Sequence, residues 1–159
     1  MFDETDAIIL SILQENARIP NAEIARRVEM APSAVLERVR KLEERGAIRT
    51  YDTILDPKEA GQGLLAFVLV RTKGGCWQAG TAEKLASFAS VQEVHHIAGE
   101  DCFLVKVRAR DTGALGAFLR DQVNGIETVH STRTTIVLET AKETLRLDLS
   151  EIRWKEDRS

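Results

Sequence analysis

The first fifty residues carry apolar side chains at helical spacing in three separate runs. Members of each run recur three or four positions apart, as on the buried face of an amphipathic helix: Ile8, Ile9, Ile12 and Leu13; Ile24, Ala25 and Val28; Val35, Val39 and Leu42. Asp3 is a suitable N-cap for the first helix, and Asn21 for the second. Pro32 suits the first turn of the third helix, and Gly46 suits its end. The pattern therefore predicts three helices, with a tight connection at residues 29–31.

After the third run the pattern becomes extended. Residues 47–55 have strand character and end at Asp56-Pro57, where a short turn or helix is expected. From residue 64 onward, strand and helix patterns alternate. In chain order they are a strand at 64–71, a helix at 81–88, strands at 94–98 and 103–107, a helix after Asp111 and a strand at 129–138. This β-α-β-β-α-β order is that of a ferredoxin-like fold, an antiparallel sheet with two helices on one face.

The sequence thus predicts an α+β chain of two domains. They are a (winged) helix-turn-helix domain at 1–50, a hinge strand and linker at 51–63, a ferredoxin-like βαββαβ domain at 64–150 and a charged tail at 151–159. Within the second domain, Leu145, Leu147 and Leu149 alternate with polar residues and predict an additional edge strand. Because the two helices would cover only one face of the sheet, the other face needs a partner, and at least a dimer is expected.

Composition narrows the location and the kinds of partner. The chain has 159 residues, of which 43% are hydrophobic and 30% charged, as in a soluble globular protein. It has no apolar run of the ~18 residues that a membrane span needs. Asp3 and Glu4 make the start acidic, unlike a signal peptide, so a cytoplasmic location is expected. Cys76 and Cys102 are too few for a disulfide framework and are expected to be free thiols.

The second and third predicted helices have the arrangement that places a helix in the major groove of DNA. The net charge is −3, yet residues 26–49 hold seven basic and four acidic side chains. Phosphates sense such a local excess within ~8–10 Å. Six side chains of the third helix are turned away from its apolar stripe and are predicted to contact DNA: Ser33, Ala34, Glu37, Arg38, Arg40 and Lys41. Arg38 and Arg40 suit phosphate or guanine, whereas Glu37 is better explained by pairing with Lys41.

Several motifs follow one another along nearly the whole chain. They include Glu23-Ile24-Ala25-Arg26-Arg27-Val28, Pro32-Ser33-Ala34-Val35, Leu55-Asp56-Pro57, Gly99-Glu100-Asp101-Cys102-Phe103-Leu104-Val105 and Thr132-x-Thr134-x-Ile136. In this order they closely resemble the leucine-responsive regulator/AsnC family, also called feast/famine regulators. The resemblance implies DNA binding by the N-terminal domain and dimerisation by the C-terminal domain, with dimers often assembling into octamers. It also implies that an amino acid or related metabolite binds between C-terminal domains.

The resemblance further implies an effector site on one turn and on the last strand. Its residues are Gly99, Glu100, Asp101, Cys102, Thr132 and Thr134. Gly99 permits close backbone approach, so that exposed N–H groups can hold a carboxylate, while Glu100 or Asp101 can hold an ammonium group. Considered without the resemblance, residues 99–102 are an ordinary hairpin turn, and strand propensity explains the threonines equally well.

Two positions depart from the family pattern. Ala31 stands where a Ser or Thr usually caps the third helix, and losing that cap should cost about 0.5–2 kcal/mol locally. Cys102 stands where many members have Asp, and a neutral thiol does not supply the same fixed charge. The ligand preference is therefore expected to differ from that of typical members, or the site to have lost its ligand.

Other functions have less support. His95 and His96 are neighbours in a predicted strand, and their side chains point to opposite faces, so they do not readily share a metal ion. The sequence has no Walker loop, GxGxxG, HExxH or GxSxG motif, and no metal, cofactor or catalysis is expected. Two alternatives stay open: an assembly or sensing module without DNA binding, and an enzyme resembling haem-precursor decarboxylases. The expected partners are double-stranded DNA, a small-molecule effector and further copies of the chain.

Overall fold

The computed structural model describes residues 2–77 and 79–150. The chain divides into two compact units, one made of Met1–Thr53 with Glu143–Ser159 and one of Ile54–Lys142. In the part of each that is described, the unit has a hydrophobic core of its own. Among the described residues, no helix is long and apolar enough to cross a membrane. The predicted tail at 151–159 lies outside the described residues.

The first unit contains the three predicted helices, α1 (Glu4–Glu15), α2 (Asn21–Arg27) and α3 (Pro32–Glu44). Helix α1 begins with a capping box, in which the Asp3 carboxylate accepts from the Asp6 amide and the Asp6 carboxylate accepts from the Asp3 amide. The predicted cap of α2 is wrong: its N-cap is Pro20, Asn21 is its first helical residue, and no side chain caps it.

The ends of α3 follow the sequence prediction. Glu29 makes the tight turn before it with a φ of 54°, the left-handed region that few residues other than Gly adopt. Ala31 is the N-cap and provides no side-chain hydrogen bond, while Pro32 occupies the first turn. Gly46, with a φ of 71°, follows the C-cap Arg45, and its amide donates to the carbonyl of Glu43. The predicted terminator is confirmed.

The buried faces of the three helices meet in one core, made of Ile9, Leu10, Ile12, Ile24, Ala25, Val35, Val39 and Leu42. The segment near residue 147 belongs to this unit, because Leu149 packs against the core. The Gln14 side chain donates to the carbonyl of Leu147 over 3.1 Å and accepts from its amide over 2.7 Å. The predicted edge strand at 145–149 is therefore wrong, since a side chain of α1 satisfies this backbone.

The predicted strand at residues 47–55 is also absent from the described chain, where residues 49–56 have no regular secondary structure. The Tyr51 hydroxyl donates to the Glu43 carboxylate over 2.9 Å. Burial and this bond raise the pKa of Tyr51 to about 12. Ile54 and Leu55 are 80% and 69% exposed. Strand-forming residues need a neighbouring strand to pair with, and the described sheet does not include this segment. The turn expected next is present at residues 57–61.

The second unit has the predicted β-α-β-β-α-β order. Its elements are β1 (Leu64–Thr72), α4 (Thr81–Ala86), β2 (Val91–His96), β3 (Phe103–Ala109), α5 (Thr112–Phe118) and β4 (Val129–Ile136), with a π-helical turn at Leu119–Val123. The strands form one antiparallel sheet in the order β2-β3-β1-β4. Asp111 caps α5 as predicted, accepting from the Ala114 amide over 2.7 Å. The α+β class and the ferredoxin-like order are confirmed.

Alternation along the strands places the core on the face that the helices cover. On β1, Ala66, Val68 and Val70 are buried in the same cluster as Leu85 of α4 and Phe118 of α5. The residues between them on β1, together with their neighbours on β3, point to the opposite face and are only half-buried: Phe67, Leu69, Arg71, Leu104 and Lys106. This second face is called the open face below.

Cys76 and Cys102 form a disulfide with their Cα atoms 4.8 Å apart, so the prediction of free thiols is wrong. They lie 26 positions apart, in the loop after β1 and at the end of the turn before β3. The antiparallel pairing of these strands, which sets Val70 opposite Phe103, brings the two cysteines together. A count of cysteines does not reveal a contact that depends on strand register.

Candidate DNA-binding surface and effector turn

The outward face of α3 collects most of the predicted DNA-binding residues. Ser33, Glu37, Arg40 and Lys41 are exposed, whereas Ala34 and Arg38 are half-buried. The apolar stripe of Val35, Val39 and Leu42 fills the core and turns these polar side chains to the surface. Such a helix can offer both cations and hydrogen-bonding groups to one groove of DNA.

Glu37 pairs with both neighbouring cations on this face. Its Oε1 lies 3.4 Å from Nη2 of Arg40 and 3.5 Å from Nζ of Lys41. Arg40 also lies 3.6 Å from Glu44 through its Nε atom. The four side chains are about half exposed or more, and ion pairs of this kind contribute only ~0–1 kcal/mol. A phosphate can therefore replace these carboxylates at little cost, leaving Arg40 and Lys41 available to DNA.

Arg38 is engaged elsewhere. Its Nη1 lies 2.6 Å from Oδ2 of Asp3 and 2.7 Å from Oδ1 of Asp6, the two residues of the α1 capping box. Partial burial raises the pKa of Asp3, but hydrogen bonds from the Asp6 amide and from Arg38 outweigh it, and this pKa lies below its ordinary value. Arg38 therefore joins α3 to the start of α1, an orientation that the helical pattern of α3 alone does not reveal.

Helix α2 holds its own cations in a similar way. Glu23 accepts from Arg26 over 2.7 Å and from Arg27 over 3.2 Å. These two side-chain hydrogen bonds lower the pKa of Glu23 to about 2. Glu23 thus partly neutralises the basic residues of α2. The exposed cations of α3 are therefore the more important ones for binding DNA.

Leu36 is a surface residue that the periodicity argument passes over. It is 56% exposed, although it is a large apolar side chain, and it lies on α3 between Ser33 and Arg40. The sequence signal was an apolar residue outside the i, i+4, i+7 stripe. In the major groove, an apolar side chain at such a position can contact the methyl group of thymine.

The predicted effector turn connects β2 to β3. The amide of Ile97 donates to the carbonyl of Cys102 over 3.0 Å and closes the turn. Gly99 has a φ of 130°, and a Cβ atom at this position would meet nothing within 4 Å. Glycine is thus required by backbone conformation, and the space beside it is open.

Two arginines that the sequence analysis missed surround the acidic residues of this turn. Nη2 of Arg71 lies 2.9 Å from Oε2 of Glu100, and its Nε lies 4.0 Å from Oδ1 of Asp101. Arg133 approaches the same Asp101 with its Nη2 at 2.9 Å from Oδ2. These four side chains, called the charge cluster below, hold two positive and two negative charges. The available signal was alternation, since Arg71 and Arg133 both occupy positions that point to the open face.

The structure separates three other predicted effector residues from the charge cluster. Thr132 pairs with Val70 and Thr134 with Val68, so both hydroxyls lie on the helix-covered face, opposite to Arg133. The two hydroxyls thus lie on the face of the sheet opposite to the charge cluster. Cys102 is 1% exposed, and its sulfur is bonded to Cys76. Of the six residues, Gly99, Glu100 and Asp101 lie together at the accessible turn.

His95 and His96 point to opposite faces, as predicted from their adjacent positions. Nε2 of His95 lies 3.1 Å from the Glu93 carboxylate. The His96 ring stacks on Phe103 with centroids 5.1 Å apart and makes a T-shaped contact with Trp77 with centroids 4.4 Å apart. In residues 2–77 and 79–150, no cluster of three His, Cys, Asp or Glu side chains has the arrangement of a metal site.

Comparison with known proteins identifies two domains in the chain, one N-terminal and one C-terminal. The chain matches the AsnC-type helix-turn-helix domain over residues 2–43 and the Lrp/AsnC ligand binding domain over residues 65–147. The HTH-type transcriptional regulator FL11 of Pyrococcus horikoshii is 38% identical over 147 residues, covering 92% of this chain and 96% of that protein. The leucine-responsive regulatory protein of Escherichia coli K12 is 35% identical over 149 residues, covering 91% and 90%.

Solved structures of transcriptional regulators superpose on nearly the whole chain. A transcriptional regulator from Neisseria meningitidis, in complex with L-Met, superposes with a TM-score of 0.86 at 30% identity, covering 94% of this chain and 98% of that one. AsnC of Escherichia coli superposes with a TM-score of 0.85 at 28% identity, covering 91% and 97%. A helix-turn-helix unit and a ligand-binding βαββαβ unit in one chain define a DNA-binding transcriptional regulator. The chain belongs to the Lrp/AsnC family of transcriptional regulators.

Proposed function

We propose that this regulator places α3 in the major groove of its operator, with Arg40 and Lys41 on phosphates and Ser33, Ala34 and Glu37 near base edges. The exposed basic face of α3 is the observation that carries the proposal. Arg38 takes part by fixing α3 to α1 rather than by touching DNA. The protein acts where the DNA is, in the cytoplasm, and it carries out no catalysis.

Selection of bound fragments from genomic DNA tests this proposal. We expect fragments that share one sequence motif and that the protein binds more tightly than unrelated DNA of equal length. Competition with the unrelated DNA measures this difference at fixed salt, because non-specific binding varies strongly with salt. Equal affinity for selected and unrelated fragments would instead support a sensing module that does not read DNA.

Dimerisation through the open face is the second element of the proposal. Phe67, Leu69 and Leu104 are half-buried apolar side chains on this face, and no helix of the described second unit packs on them. Covering such a face on a second copy removes apolar area from water. A symmetric dimer also presents two copies of α3 one or more turns of DNA apart, and dimers can assemble further into octamers. Light scattering at micromolar concentration is expected to show a dimer or a larger assembly, and a monomer would contradict it.

An amino acid is the proposed effector, bound between subunits at the turn of Gly99, Glu100 and Asp101. A zwitterion needs a cation for its carboxylate and an anion for its ammonium group, because an unpaired charge removed from water costs several kcal/mol. The charge cluster offers both signs within a few ångströms. The Neisseria meningitidis relative, solved in complex with L-Met, makes L-methionine the first probe.

Calorimetry with L-methionine and the other standard amino acids tests the effector site. We expect one of them to bind the wild type and not Arg133→Met, which removes a cation from the cluster. Gly99→Val is a second variant, since a β-branched residue is strained at a φ of 130° and alters the turn. Phe2→Leu, in the first unit, is the control. If Arg133→Met and Gly99→Val both bind as the wild type does, the pocket lies elsewhere.

A further inference from the structure

We propose that the Cys76–Cys102 disulfide is a reversible thiol–disulfide exchange site, through which a dithiol loosens the effector turn. The proposal rests on the contacts of the two cysteines, and only its consequence for effector binding depends on the proposed function. In mesophilic organisms, disulfides of proteins in reducing compartments are usually transient and serve catalysis or redox sensing. The cytoplasmic location proposed above therefore favours a switch over a permanent brace.

Cys102 anchors the turn through its backbone as well as its sulfur. Its amide donates to the carbonyl of Val70 over 2.9 Å, and its carbonyl accepts from Ile97 over 3.0 Å. Asp101, which binds Arg133 in the charge cluster, is the preceding residue. Because one peptide bond joins Asp101 to Cys102, a movement of Cys102 also displaces Asp101 and so alters the charge cluster.

Cys76 lies in a loop whose other contacts include a hydrogen bond from the Lys73 amide to the carbonyl of Thr128 and the packing of Trp77 on His96. Gly74 and Gly75 precede it with φ values of 74° and 102°, and both residues are exposed. Glycine has the greatest conformational freedom to regain when a restraint is removed. The Thr72 hydroxyl lies 2.6 Å from the carbonyl of Gly75, a single hydrogen bond on the same side of the loop. Breaking the disulfide thus removes the covalent tie between this loop and the turn.

The different burial of the two cysteines indicates which sulfur the dithiol attacks and which one leaves. Cys102 is 1% exposed, whereas Cys76 is half-buried at the edge of the core, so Cys76 is the more accessible of the two residues and the one that a dithiol reaches more readily. A thiolate of the dithiol attacks Sγ of Cys76, forms a mixed disulfide and expels the Cys102 thiolate, which takes up a proton. The Thr72 hydroxyl lies 3.2 Å from Sγ of Cys102, and it can donate its one proton to that thiolate by releasing the carbonyl of Gly75.

The second thiolate of the dithiol then attacks its own mixed-disulfide sulfur and expels the Cys76 thiolate, which is protonated in turn. The protein disulfide is reduced to two thiols, and the dithiol is oxidised to a cyclic disulfide, so electrons and protons balance. The reverse reaction, with the oxidised form of the same couple, restores the bond.

Amide hydrogen exchange on the full-length protein, with and without dithiothreitol, tests the proposal. Alkylation of the acid-quenched, denatured protein counts its thiols: none is expected before reduction and two after it. Reduction is expected to speed exchange of the amides at 97–102 by at least about tenfold, because local opening requires less free energy when the disulfide is broken. Amides of α3 serve as the internal reference.

Cys76→Ser is the matched variant, because it removes the bond and keeps Cys102. It is expected to exchange rapidly at 97–102 both with and without dithiothreitol. The proposal is overturned if two thiols are alkylated before reduction, if exchange at the turn is unchanged once both thiols are free, or if dithiothreitol changes the variant as much as the wild type.

L-methionine affinity of the oxidised and reduced protein gives a separate readout. A difference between the two states links the switch to the effector. If neither L-methionine nor any other standard amino acid binds either state while the turn still responds to reduction, the effector assignment fails and the exchange site stands. If L-methionine binds and the turn does not respond, the exchange site fails and the effector assignment stands.

Discussion

Nη1 of Arg38 on α3 lies 2.7 Å from Oδ1 of Asp6 on α1, so one of the two arginines that the sequence suggested for DNA contact links two helices. Asp6 is 7% exposed, and removing its cationic partner leaves a buried carboxylate with fewer hydrogen bonds. Arg38→Met is therefore expected to lower the free energy of unfolding of the helix-turn-helix unit by about 1–3 kcal/mol. Urea unfolding, followed by the helical signal, measures this.

Arg40→Met is the control for that prediction, because the ion pairs of Arg40 with Glu37 and Glu44 are exposed. Its unfolding free energy is expected to stay within about 0.5 kcal/mol of the wild type while its affinity for DNA falls. The assignment of roles is wrong if Arg38→Met unfolds like the wild type and loses as much DNA affinity as Arg40→Met.

Acid is expected to weaken the same contact between helices. Because the pKa of Asp3 lies below its ordinary value of 3.8, the folded state favours the carboxylate. This stabilisation is complete above the unfolded-state pKa and is lost as the pH falls through the folded-state pKa. Asp3→Asn should thus reduce the slope of unfolding free energy against pH between about pH 5 and pH 3. In the Arg38→Met background the substitution should change that slope less, and an equal change in both backgrounds would contradict the pairing.

The uncapped start of α3 offers a stabilising change. Ala31 has an extended φ of −68° and ψ of 141°, the backbone of an N-cap, but no side-chain acceptor. Ala31→Ser should increase the free energy of unfolding by about 0.5–2 kcal/mol, because its hydroxyl can accept from a free amide of the first turn. Ala31→Val is the control, because it enlarges the side chain at the same position without adding a hydrogen-bond acceptor. Equal stability of the two variants would show that the cap is not limiting.

Leu36 is expected to read a thymine methyl group. Replacing each operator thymine in turn by deoxyuridine removes one methyl, and at one position this should cost the wild type about 1 kcal/mol of binding free energy. In Leu36→Ala the same replacement should cost nothing. Ile8→Ala, which truncates an exposed apolar residue of α1, should retain the full methyl effect. A methyl effect of equal size in Leu36→Ala at every position would exclude this contact.

Periodicity predicted the elements because each one buries one face. The stripe of α3 and the alternation of β1 are local consequences of burial, so the three helices and the βαββαβ order could be predicted. For the segment at 145–149 the same reasoning predicted an edge strand, and that prediction is wrong. Its alternation does not arise from a sheet, since Leu149 packs on a helical core and Gln14 satisfies the backbone of Leu147.

The site was less predictable because its contacts join distant residues. The role of Arg38 depends on the capping box of α1, and the disulfide of Cys102 depends on the register of β1 with β3. The acidic turn could be selected by family resemblance, but Arg71 and Arg133 come from two other strands. Sequence patterns predict which face a side chain occupies more readily than which partner it meets there.

The dependence of operator affinity on salt tests the central claim most directly. Each phosphate contact adds about 0.9 to the slope of log affinity against log salt for duplex DNA. If Arg40 and Lys41 each hold a phosphate, the Arg40→Ala, Lys41→Ala double variant should bind more weakly with a slope lower by about 2. Arg110→Ala, Arg120→Ala, which removes two exposed arginines of the second unit, should leave both unchanged. An unaltered slope and affinity in the α3 variant would contradict the placement of α3 on DNA.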